Sequence, residues 1–342
     1  MTAVVPKTVV PKTIVVAFPW NADDALLAPL RARFPDLELV AQPFLGSFAH
    51  HLPDQDDELT GAARAVWARA DATLALDLPA PISEVAPNLR WVQAIGAGID
   101  HLADAGLPDA VTITNAAGVA AAPIAEFAMS RLLSVWKRLP EIDDEQAQRE
   151  WKPKFGRTVE GLVLGVIGLG AIGTAVAQRA RGFGMYLIGT RRSYKEGQDH
   201  PAVDELRGTA DLYDVLARCD AIVVSAPGTA ETENLFDAAA FAAMKPGALF
   251  CNVGRGSLVD EPALIAALEA GHLGAAILDV TREEPLPAAD PLWSAPNIYI
   301  SPHCSAAQDR YTETLLALFA DNLERYTRGE ALRNVVDRAA GY

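Results

Sequence analysis

Cysteine is scarce in this sequence, which has only Cys219, Cys251 and Cys304 among its 342 residues. Three thiols at such wide spacing exclude a disulfide framework, and they also exclude a metal site built on paired cysteines. We therefore predict that the protein binds no metal ion. The low cysteine content also favours a reducing compartment, and we predict a cytoplasmic location.

Positive charge is scarce as well. The chain has 29 Lys and Arg residues against 44 Asp and Glu residues, which gives a formal net charge of −15. Binding to the phosphate backbone of nucleic acid requires clustered positive charge, so nucleic acid is excluded as a partner. An anionic substrate would have to be attracted by a few cations placed close to its binding site.

The sequence lacks a long apolar run and a signal-peptide pattern, so no membrane partner is expected. Apolar residues nevertheless form 50% of the chain, which is ample for the core of a soluble protein. A length of 342 residues predicts two domains. Residues 1–13 contain VVPKT twice and have no amphipathic period, so they are predicted to form a disordered tail.

From residue 14 onwards, short apolar runs alternate with helix-like stretches, which is the pattern of a parallel sheet with crossover helices. The first four runs predict the strands of one α/β domain that is complete by about residue 116: 14–18, 37–41, 72–76 and 89–96. A predicted helix over 124–139 follows Pro123 and has apolar residues on more than one face. Such a helix needs several packing partners, so we expect a second subunit to contact it.

A second α/β unit opens with the glycine-rich turn GLGAIG at 168–173. The turn follows a predicted strand over 162–168 and precedes a predicted helix over 174–183. This context predicts a dinucleotide-binding fold, in which the N-terminus of the helix faces a pyrophosphate. The predicted cofactor contacts lie in the turn and at the ends of two later strands: Gly168, Gly170, Ala171, Ile172, Gly173, Ala226, Pro227 and Val253.

The end of the next predicted strand, 186–190, bears on the choice of cofactor. NAD-binding folds place an acidic residue there to accept hydrogen bonds from the ribose 2′-hydroxyl. This chain has Thr190, Arg191 and Arg192 instead. Two guanidinium groups could bind the 2′-phosphate of NADP, so NADP is favoured. The alternative is that the two arginines are a solvated pair beside a site that accepts NAD.

Four further apolar runs predict strands that end in polar or glycine-bearing loops: 221–227, 248–254, 274–280 and 297–303. Doubly wound sheets bind ligands at such strand ends. Three ionisable residues stand in motifs there: Arg255 in NVGRGSLVDEPAL, Glu284 in LDVTREEPLP and His303 in ISPHCSA. A cation, a carboxylate and an imidazole beside a dinucleotide fold suit the reduction of a 2-keto acid.

Six motifs occur together in one order: GAGIDHL (96–102), NAAG with IAEF (115–127), GLGAIG, NVGRGSLVDEPAL, LDVTREEPLP and SPHCSAA. In these motifs the chain resembles the D-isomer-specific 2-hydroxyacid dehydrogenase family, and especially its glyoxylate and hydroxypyruvate reductases. The resemblance covers residues from about 14 to 338. It implies NAD(P)-dependent reduction of a small 2-keto acid to the D-2-hydroxy acid by a homodimer.

The resemblance also implies an architecture of two Rossmann-like α/β domains, each a doubly wound parallel sheet, with the active-site cleft between them. Residues 1–116 and 305–342 would form the substrate-binding domain, and residues 117–304 would form the NAD(P)-binding domain. A helix over 313–329 would return the chain to the substrate-binding domain.

Each candidate residue then has an expected role. His303 would donate a proton to the keto oxygen, and Glu284 would orient the imidazole and favour its protonated form. The resemblance assigns to Arg255 the binding of the substrate carboxylate and keto oxygen, and it assigns backbone N–H groups at Ala97 and Gly98 to the carboxylate. Asp279 could accept a hydrogen bond from the nicotinamide carboxamide, or it could cap its own loop.

The chain departs from the family's habit after the aspartate–valine pair, where Thr281 replaces the usual aromatic residue and Arg282 follows. This difference could alter substrate preference. Phosphoglycerate dehydrogenase, or another D-2-hydroxyacid dehydrogenase, remains an alternative. Less favoured alternatives are formate dehydrogenase, which shares the fold, and a non-catalytic corepressor that senses NAD(H).

Overall fold

The computed structural model describes residues 12–18, 24–44, 46 and 59–338. The described residues divide into two compact units, one within residues 1–119 and 309–342 and the other within residues 120–308. Residues 1–11 of the predicted tail lie outside the described residues. The prediction is wrong for Thr13, which is 5% exposed and begins the first strand because the Asp71 carboxylate accepts its N–H at 3.0 Å.

The described part of the first unit contains these elements: β1 (Thr13–Ala17), α1 (Asp24–Arg33), β2 (Glu38–Ala41), α2 (Gly61–Trp67), β3 (Ala72–Ala75), α3 (Ile82–Val85), β4 (Trp91–Ala94), β5 (Thr112–Thr114) and α10 (Tyr311–Arg328). Its strands form a parallel sheet in the order β2-β1-β3-β4-β5. Both faces of the sheet are covered, as is usual for parallel sheets.

Alternate residues of β1 lie on opposite faces of this sheet. Ile14 and Val16 belong to one apolar cluster, and Val15 belongs to another. The first cluster includes α10, because the ring of Phe319 stacks on Trp91 with centroids 5.4 Å apart. The C-terminal helix is therefore part of the core of the first unit.

The second unit contains the remaining elements: α4 (Ala121–Trp136), α5 (Leu139–Ala147), β6 (Val163–Ile167), α6 (Ala171–Arg181), β7 (Tyr186–Thr190), β8 (Glu205–Arg207), α7 (Leu212–Arg218), β9 (Ala221–Val224), α8 (Ala238–Ala243), β10 (Leu249–Asn252), α9 (Glu261–Glu269), β11 (Ala275–Leu278) and β12 (Ile298–Ile300). The strands form a parallel sheet in the order β12-β11-β10-β9-β6-β7-β8. The strand order reverses between β6 and β9, and doubly wound sheets bind ligands at such a point.

The two parallel sheets confirm the predicted fold class. The helix predicted over 124–139 ends earlier than expected, at Trp136, because Arg138 adopts a left-handed backbone conformation with φ of 57°. A separate short helix, α5, follows it. Within the described part of the chain, every helix is too short or too polar to span a bilayer.

Candidate active site

Arg255, Glu284 and His303 stand in the loops that follow β10, β11 and β12, respectively. These three strands are neighbours in the second sheet and run parallel. Their carboxyl ends therefore meet at one edge of the sheet, which is the ligand-binding edge of doubly wound folds. The structure thus brings together the three loops that the sequence singled out.

His303 and Glu284 are hydrogen-bonded to each other. The imidazole Nδ1 lies 2.8 Å from Glu284 Oε2, and the other carboxylate oxygen of Glu284 accepts the backbone N–H of Thr281 at 3.0 Å. The His303 side chain is 44% exposed, so its Nε2 edge can meet a ligand. Because the carboxylate engages Nδ1, Nε2 is the nitrogen left for proton transfer.

The electrostatic setting keeps Glu284 ionised. Burial by itself acts to raise the pKa of this carboxyl group, but its hydrogen bond to His303 and the charges of His303 and Arg255 act in the opposite direction. Together with the Thr281 N–H, they hold the pKa of Glu284 below its ordinary value. Glu284 is therefore a carboxylate at neutral pH, and a carboxylate stabilises an imidazolium partner.

Asp279 organises the loop that carries His303. Its buried carboxylate accepts hydrogen bonds from the hydroxyl of Ser301 at 2.7 Å, from the N–H of Cys304 at 3.1 Å, and from both the N–H and the hydroxyl of Ser305. Its backbone carbonyl accepts the N–H of His303 at 2.8 Å. These contacts hold His303 at a φ of 50°, which is unusual for a residue with a side chain.

The structure therefore shows the loop-capping role that was one of the two expectations for Asp279. Contact between Asp279 and the nicotinamide carboxamide remains a proposal. Ser301 and Ser305 had no predicted role, because the sequence does not show that both hydroxyls point back to one carboxylate.

Arg255 stands in a turn that needs glycine on both sides. A Cβ atom at Gly254 would lie 2.8 Å from the carbonyl oxygen of Ala226, and one at Gly256 would overlap the backbone of Thr281. The side chain of Asn252 fixes the turn by donating to the Arg255 carbonyl at 2.8 Å and accepting from the Gly254 N–H at 3.0 Å. The half-buried Arg255 thus extends from a backbone that these contacts hold in place.

The glycine-rich turn between β6 and α6 fits a pyrophosphate. Gly168 has a φ of 96°, and a Cβ atom there would lie 2.6 Å from the backbone nitrogen of Ala226. A Cβ atom at Gly173 would overlap the carbonyl oxygen of Gly168, so the helix packs closely on the turn. At Gly170, in contrast, a Cβ atom would enter open space. No side chain caps α6 at this end, so its first N–H groups can bind an anion.

The residues at the ends of β9 and β10 lie next to this turn. Ser225 donates its hydroxyl to the Gly168 carbonyl at 2.8 Å, which places Ala226 and the exposed Pro227 beside the glycines. Val253 donates its N–H to the Val224 carbonyl at 3.0 Å. In the described residues, no group of three His, Cys, Asp or Glu side chains is arranged to hold a metal ion.

At the end of β7, the buried Thr190 accepts the N–H of Gly168 at 3.3 Å and so fixes the turn from the other side. Arg191 is exposed, and the guanidinium of Arg192 lies 3.6 Å from the carboxylate of Glu231. Both members of this ion pair are well exposed, at 47% and 74%. An exposed pair contributes little stability, so it leaves Arg192 able to bind a phosphate.

Ala97 and Gly98 lie in the first unit, whereas the other candidate residues lie in the second. They follow β4 in a loop that Asn115 anchors, because its side-chain amide donates to the Ala97 carbonyl at 2.8 Å. Ala97 is exposed, and Gly98 is half-buried. Contact between their backbone N–H groups and a substrate carboxylate remains a proposal.

Known proteins are similar to this chain in sequence and in fold. The family model described as "D-isomer specific 2-hydroxyacid dehydrogenase, NAD binding domain" matches residues 129–305. The glyoxylate/hydroxypyruvate reductase B of Citrobacter koseri is 36% identical over 263 residues, which cover 74% of this chain and 80% of that protein.

Two solved structures are also similar to the chain. A D-isomer specific 2-hydroxyacid dehydrogenase from Xanthobacter autotrophicus, in complex with NADPH and MES, is 30% identical with a TM-score of 0.81, covering 97% of this chain and 100% of that one. An NADPH-dependent glyoxylate/hydroxypyruvate reductase from Sinorhizobium meliloti, in complex with NADP and sulfate, is 28% identical with a TM-score of 0.79, again covering 97% and 100%.

Proposed function

Because this chain belongs to the D-isomer specific 2-hydroxyacid dehydrogenase family, and is thus an NAD(P)-dependent oxidoreductase, we propose that it reduces glyoxylate, hydroxypyruvate or a similarly small 2-keto acid to the D-2-hydroxy acid. The observation that carries the proposal is the 2.8 Å hydrogen bond between His303 Nδ1 and the ionised Glu284, with Arg255 on the neighbouring loop.

The nicotinamide ring, when bound, supplies a hydride to the keto carbon. His303 donates a proton from Nε2 to the keto oxygen, and the imidazole is then neutral until it takes a proton from water. Glu284 stabilises the imidazolium before the transfer and keeps the ring in one orientation throughout. The hydride and the proton together convert the ketone into the secondary alcohol.

Arg255 binds the substrate carboxylate and the keto oxygen. A guanidinium presents several N–H donors in a plane, which matches two oxygen atoms on adjacent carbons. It also compensates locally for the net negative charge of the protein, which would otherwise repel an anionic substrate. The backbone N–H groups of Ala97 and Gly98 bind the carboxylate as well.

NADPH is the proposed cofactor, although the site could also accept NADH. The support is the exposed Arg191 and Arg192 at the end of β7, where the chain has no acidic residue. The relatives from Xanthobacter autotrophicus and Sinorhizobium meliloti are described in complex with NADPH and NADP. Arg191 and Arg192 bind the 2′-phosphate, and Thr190 holds the glycine-rich turn beside it.

The active protein is proposed to be a cytoplasmic homodimer. The segment after α4 exposes large apolar side chains that a single chain leaves in water, and Trp151 and Phe155 are 101% and 83% exposed. Burial of such side chains against a second copy would be favourable. A cytoplasmic location is consistent with Cys304, an exposed free thiol.

The test is a steady-state assay of the purified protein with glyoxylate, hydroxypyruvate, pyruvate and phenylpyruvate, each with NADH and with NADPH. We expect the highest kcat/KM for glyoxylate or hydroxypyruvate with NADPH. If the protein oxidises 3-phosphoglycerate or formate with a higher kcat/KM than it shows in these reductions, one of the alternative dehydrogenases would replace the proposal. Tight cofactor binding with no turnover of any of these acids would favour a sensor.

A further inference from the structure

Arg282, in the loop after β11, joins separate segments of the second unit. Its guanidinium donates hydrogen bonds to the Glu233 carboxylate at 2.6 Å and to the side-chain oxygen of Asn234 at 2.5 Å. It also donates to the carbonyl oxygens of Ser257 at 3.1 Å and Val259 at 2.9 Å. One side chain therefore connects the loop after β9 with the loop after β10.

The two carbonyl contacts lie in the short turn that follows Arg255. Ser257 lies in the 3₁₀ turn Gly256–Leu258, and Val259 follows it directly. The turn is too short to provide hydrogen-bond donors for all of its own carbonyl groups. A guanidinium has five N–H donors in a fixed fork, so it can reach acceptors on different segments at once. The ammonium of lysine cannot reproduce this set of contacts.

The backbone on either side of Arg282 is fixed as well. Its own N–H donates to the Glu261 carboxylate at 2.7 Å, and the preceding Thr281 donates its N–H to Glu284 at 3.0 Å. Thr281 also packs so closely on Gly256 that a Cβ atom there would overlap it. The loop that carries Glu284 and the turn that follows Arg255 are thus in contact at Arg282.

We propose that Arg282 is a positioning residue, which holds the Arg255 turn and the Glu284 loop in fixed places relative to each other. A misplacement of about 1 Å at a catalytic group can lower the rate about a hundredfold. Loss of the Arg282 contacts should therefore have a measurable effect on turnover. The effect of Arg282 on turnover rests on the proposed function. Its effect on how rigidly the two segments are held does not.

The experiment compares Arg282→Met, which keeps much of the apolar stem and loses the donors, with Arg282→Lys and with the control Arg181→Met. Arg181 forms an ion pair of 3.1 Å with Asp204 in the same unit, and its side chain is 47% exposed, against 39% for Arg282. Hydrogen exchange of the amides in 255–259 and 281–284 is measured on the free protein. The kcat, the KM for the keto acid and the Kd for NADPH are then measured for each variant.

For Arg282→Met we expect at least about tenfold faster exchange in both segments and a fall in kcat/KM of about tenfold to a hundredfold. The KM should rise because Arg255 binds the carboxylate, and the kcat should fall because Glu284 supports His303. The Kd for NADPH should stay within about twofold, which a general loss of folding would not allow. Arg282→Lys should show the same pattern at a smaller size, and Arg181→Met should match the wild type.

Unchanged exchange in both segments would overturn the proposal, whatever the activity. Faster exchange with keto-acid kinetics within about twofold of wild type would overturn the link to the catalytic residues. If Arg282→Met does not fold, Arg282→Lys decides by the same criteria. A wild-type protein that reduces neither glyoxylate nor hydroxypyruvate would refute the proposed function, and the exchange data would still show whether Arg282 orders the two segments.

Discussion

Each candidate catalytic side chain is held in place by a neighbouring residue. The Asp279 carboxylate accepts hydrogen bonds from the loop that carries His303. The Asn252 side chain donates to the carbonyl of Arg255. The Thr281 N–H donates to the carboxylate of Glu284. Such supports restrict the movement of the reacting groups, which lowers the entropic cost of reaching the transition state. The chemistry of the site therefore depends on residues that do not touch the substrate.

Replacement of either central group should nearly abolish reduction. We expect His303→Ala and Arg255→Ala each to lower kcat/KM for the keto acid by at least about a hundredfold, because general acid catalysis and carboxylate binding each contribute several kcal/mol. Steady-state kinetics with NADPH measures this effect, and an unchanged melting temperature serves as the folding control. Turnover close to that of the wild type in both variants would refute the assignment.

Glu284→Gln should change the pH dependence of the reduction rate and leave the fold intact. The pKa of Glu284 is lowered in the folded protein, so the carboxylate is charged over the whole neutral range and stabilises the imidazolium of His303 there. The neutral amide provides no such charge, so the alkaline fall of the reduction rate should move to lower pH than in the wild type.

The pH profile of kcat/KM for reduction measures this shift. Glu283→Gln is the matched control, because it removes one carboxylate from the adjacent exposed position. A Glu284→Gln profile that overlays both the wild type and the control would refute the functional pairing of Glu284 with His303.

We predict that the preference for NADPH over NADH depends on Arg191. Pairing of a 2′-phosphate with guanidinium should favour NADPH over NADH by about tenfold to a thousandfold in kcat/KM, or roughly 1.4 to 4 kcal/mol. In Arg191→Asp the carboxylate repels the phosphate and accepts from the free 2′-hydroxyl, so NADH should become the better cofactor. Both cofactors are compared at saturating glyoxylate. A wild-type preference for NADH refutes this prediction, whatever the variant does.

Sequence alone could identify the ionisable residues of the candidate site but not their supports. Glu284 and His303 stand in recognisable motifs, and their hydrogen bond follows from the adjacency of β11 and β12. The partners of Arg282 lie on loops far from it in sequence, at Glu233 and Val259. No local pattern encodes such a meeting, because it depends on how the ends of three strands are arranged.

At the scale of elements, the glycines of the turn before α6 have different tasks. A Cβ atom at Gly173 would overlap the turn, whereas one at Gly170 would enter open space. Gly173 thus allows the helix to pack closely on the turn, and Gly170 leaves room for a ligand to approach the backbone.

Gly170→Ala should therefore weaken cofactor binding, whereas Gly173→Ala should lower the stability of the fold. The first should melt within a few degrees of the wild type and raise the KM for NADPH at least about tenfold, since the methyl group would occupy the space of the pyrophosphate. The second should lower the stability by about 1 to 3 kcal/mol through overpacking. Thermal melts and cofactor titrations of the two variants separate these effects. Equal losses of stability would contradict the division of roles.

Strands with strong apolar runs were predictable, and the weaker ones were not. β1 and β9 are fully buried and consist of apolar residues or threonine, so their composition indicated them. β8 has the sequence ELR and is half-buried at the sheet edge, and β5 is only TIT. These segments are extended because they pair with a neighbouring strand. Their own composition does not predict a strand.

At the scale of the whole molecule, the predicted homodimer can be tested through the apolar segment after α4. Trp151→Ser and Phe155→Ser together remove two large exposed apolar side chains. We expect the double variant to shift from dimer to monomer at micromolar concentration, because hydrophobic burial dominates stable interfaces. Light scattering after size-exclusion chromatography measures the mass. The exposed Trp293→Ser is the control, and a monomeric wild type would refute the prediction.

The predicted domain limits at residues 117 and 304 stay a prediction. Packing divides the described chain near residues 119 and 309, and the helix α10 belongs to the first unit. The resemblance indicated this return of the chain, whereas hydrophobic periodicity alone could not say which sheet α10 covers.

The position of α10 has a consequence for the synthesis of the protein. Leu315, Phe319 and Leu323 of this helix help to bury the face of the first sheet that contains Ile14 and Trp91. The ribosome makes α10 only after the whole of the second unit. The strands of the first sheet are therefore made before the second unit, but one of its apolar faces lacks the cover of α10 while the second unit is translated. Throughout that interval the nascent chain is open to aggregation, and its folding is coupled to the end of translation.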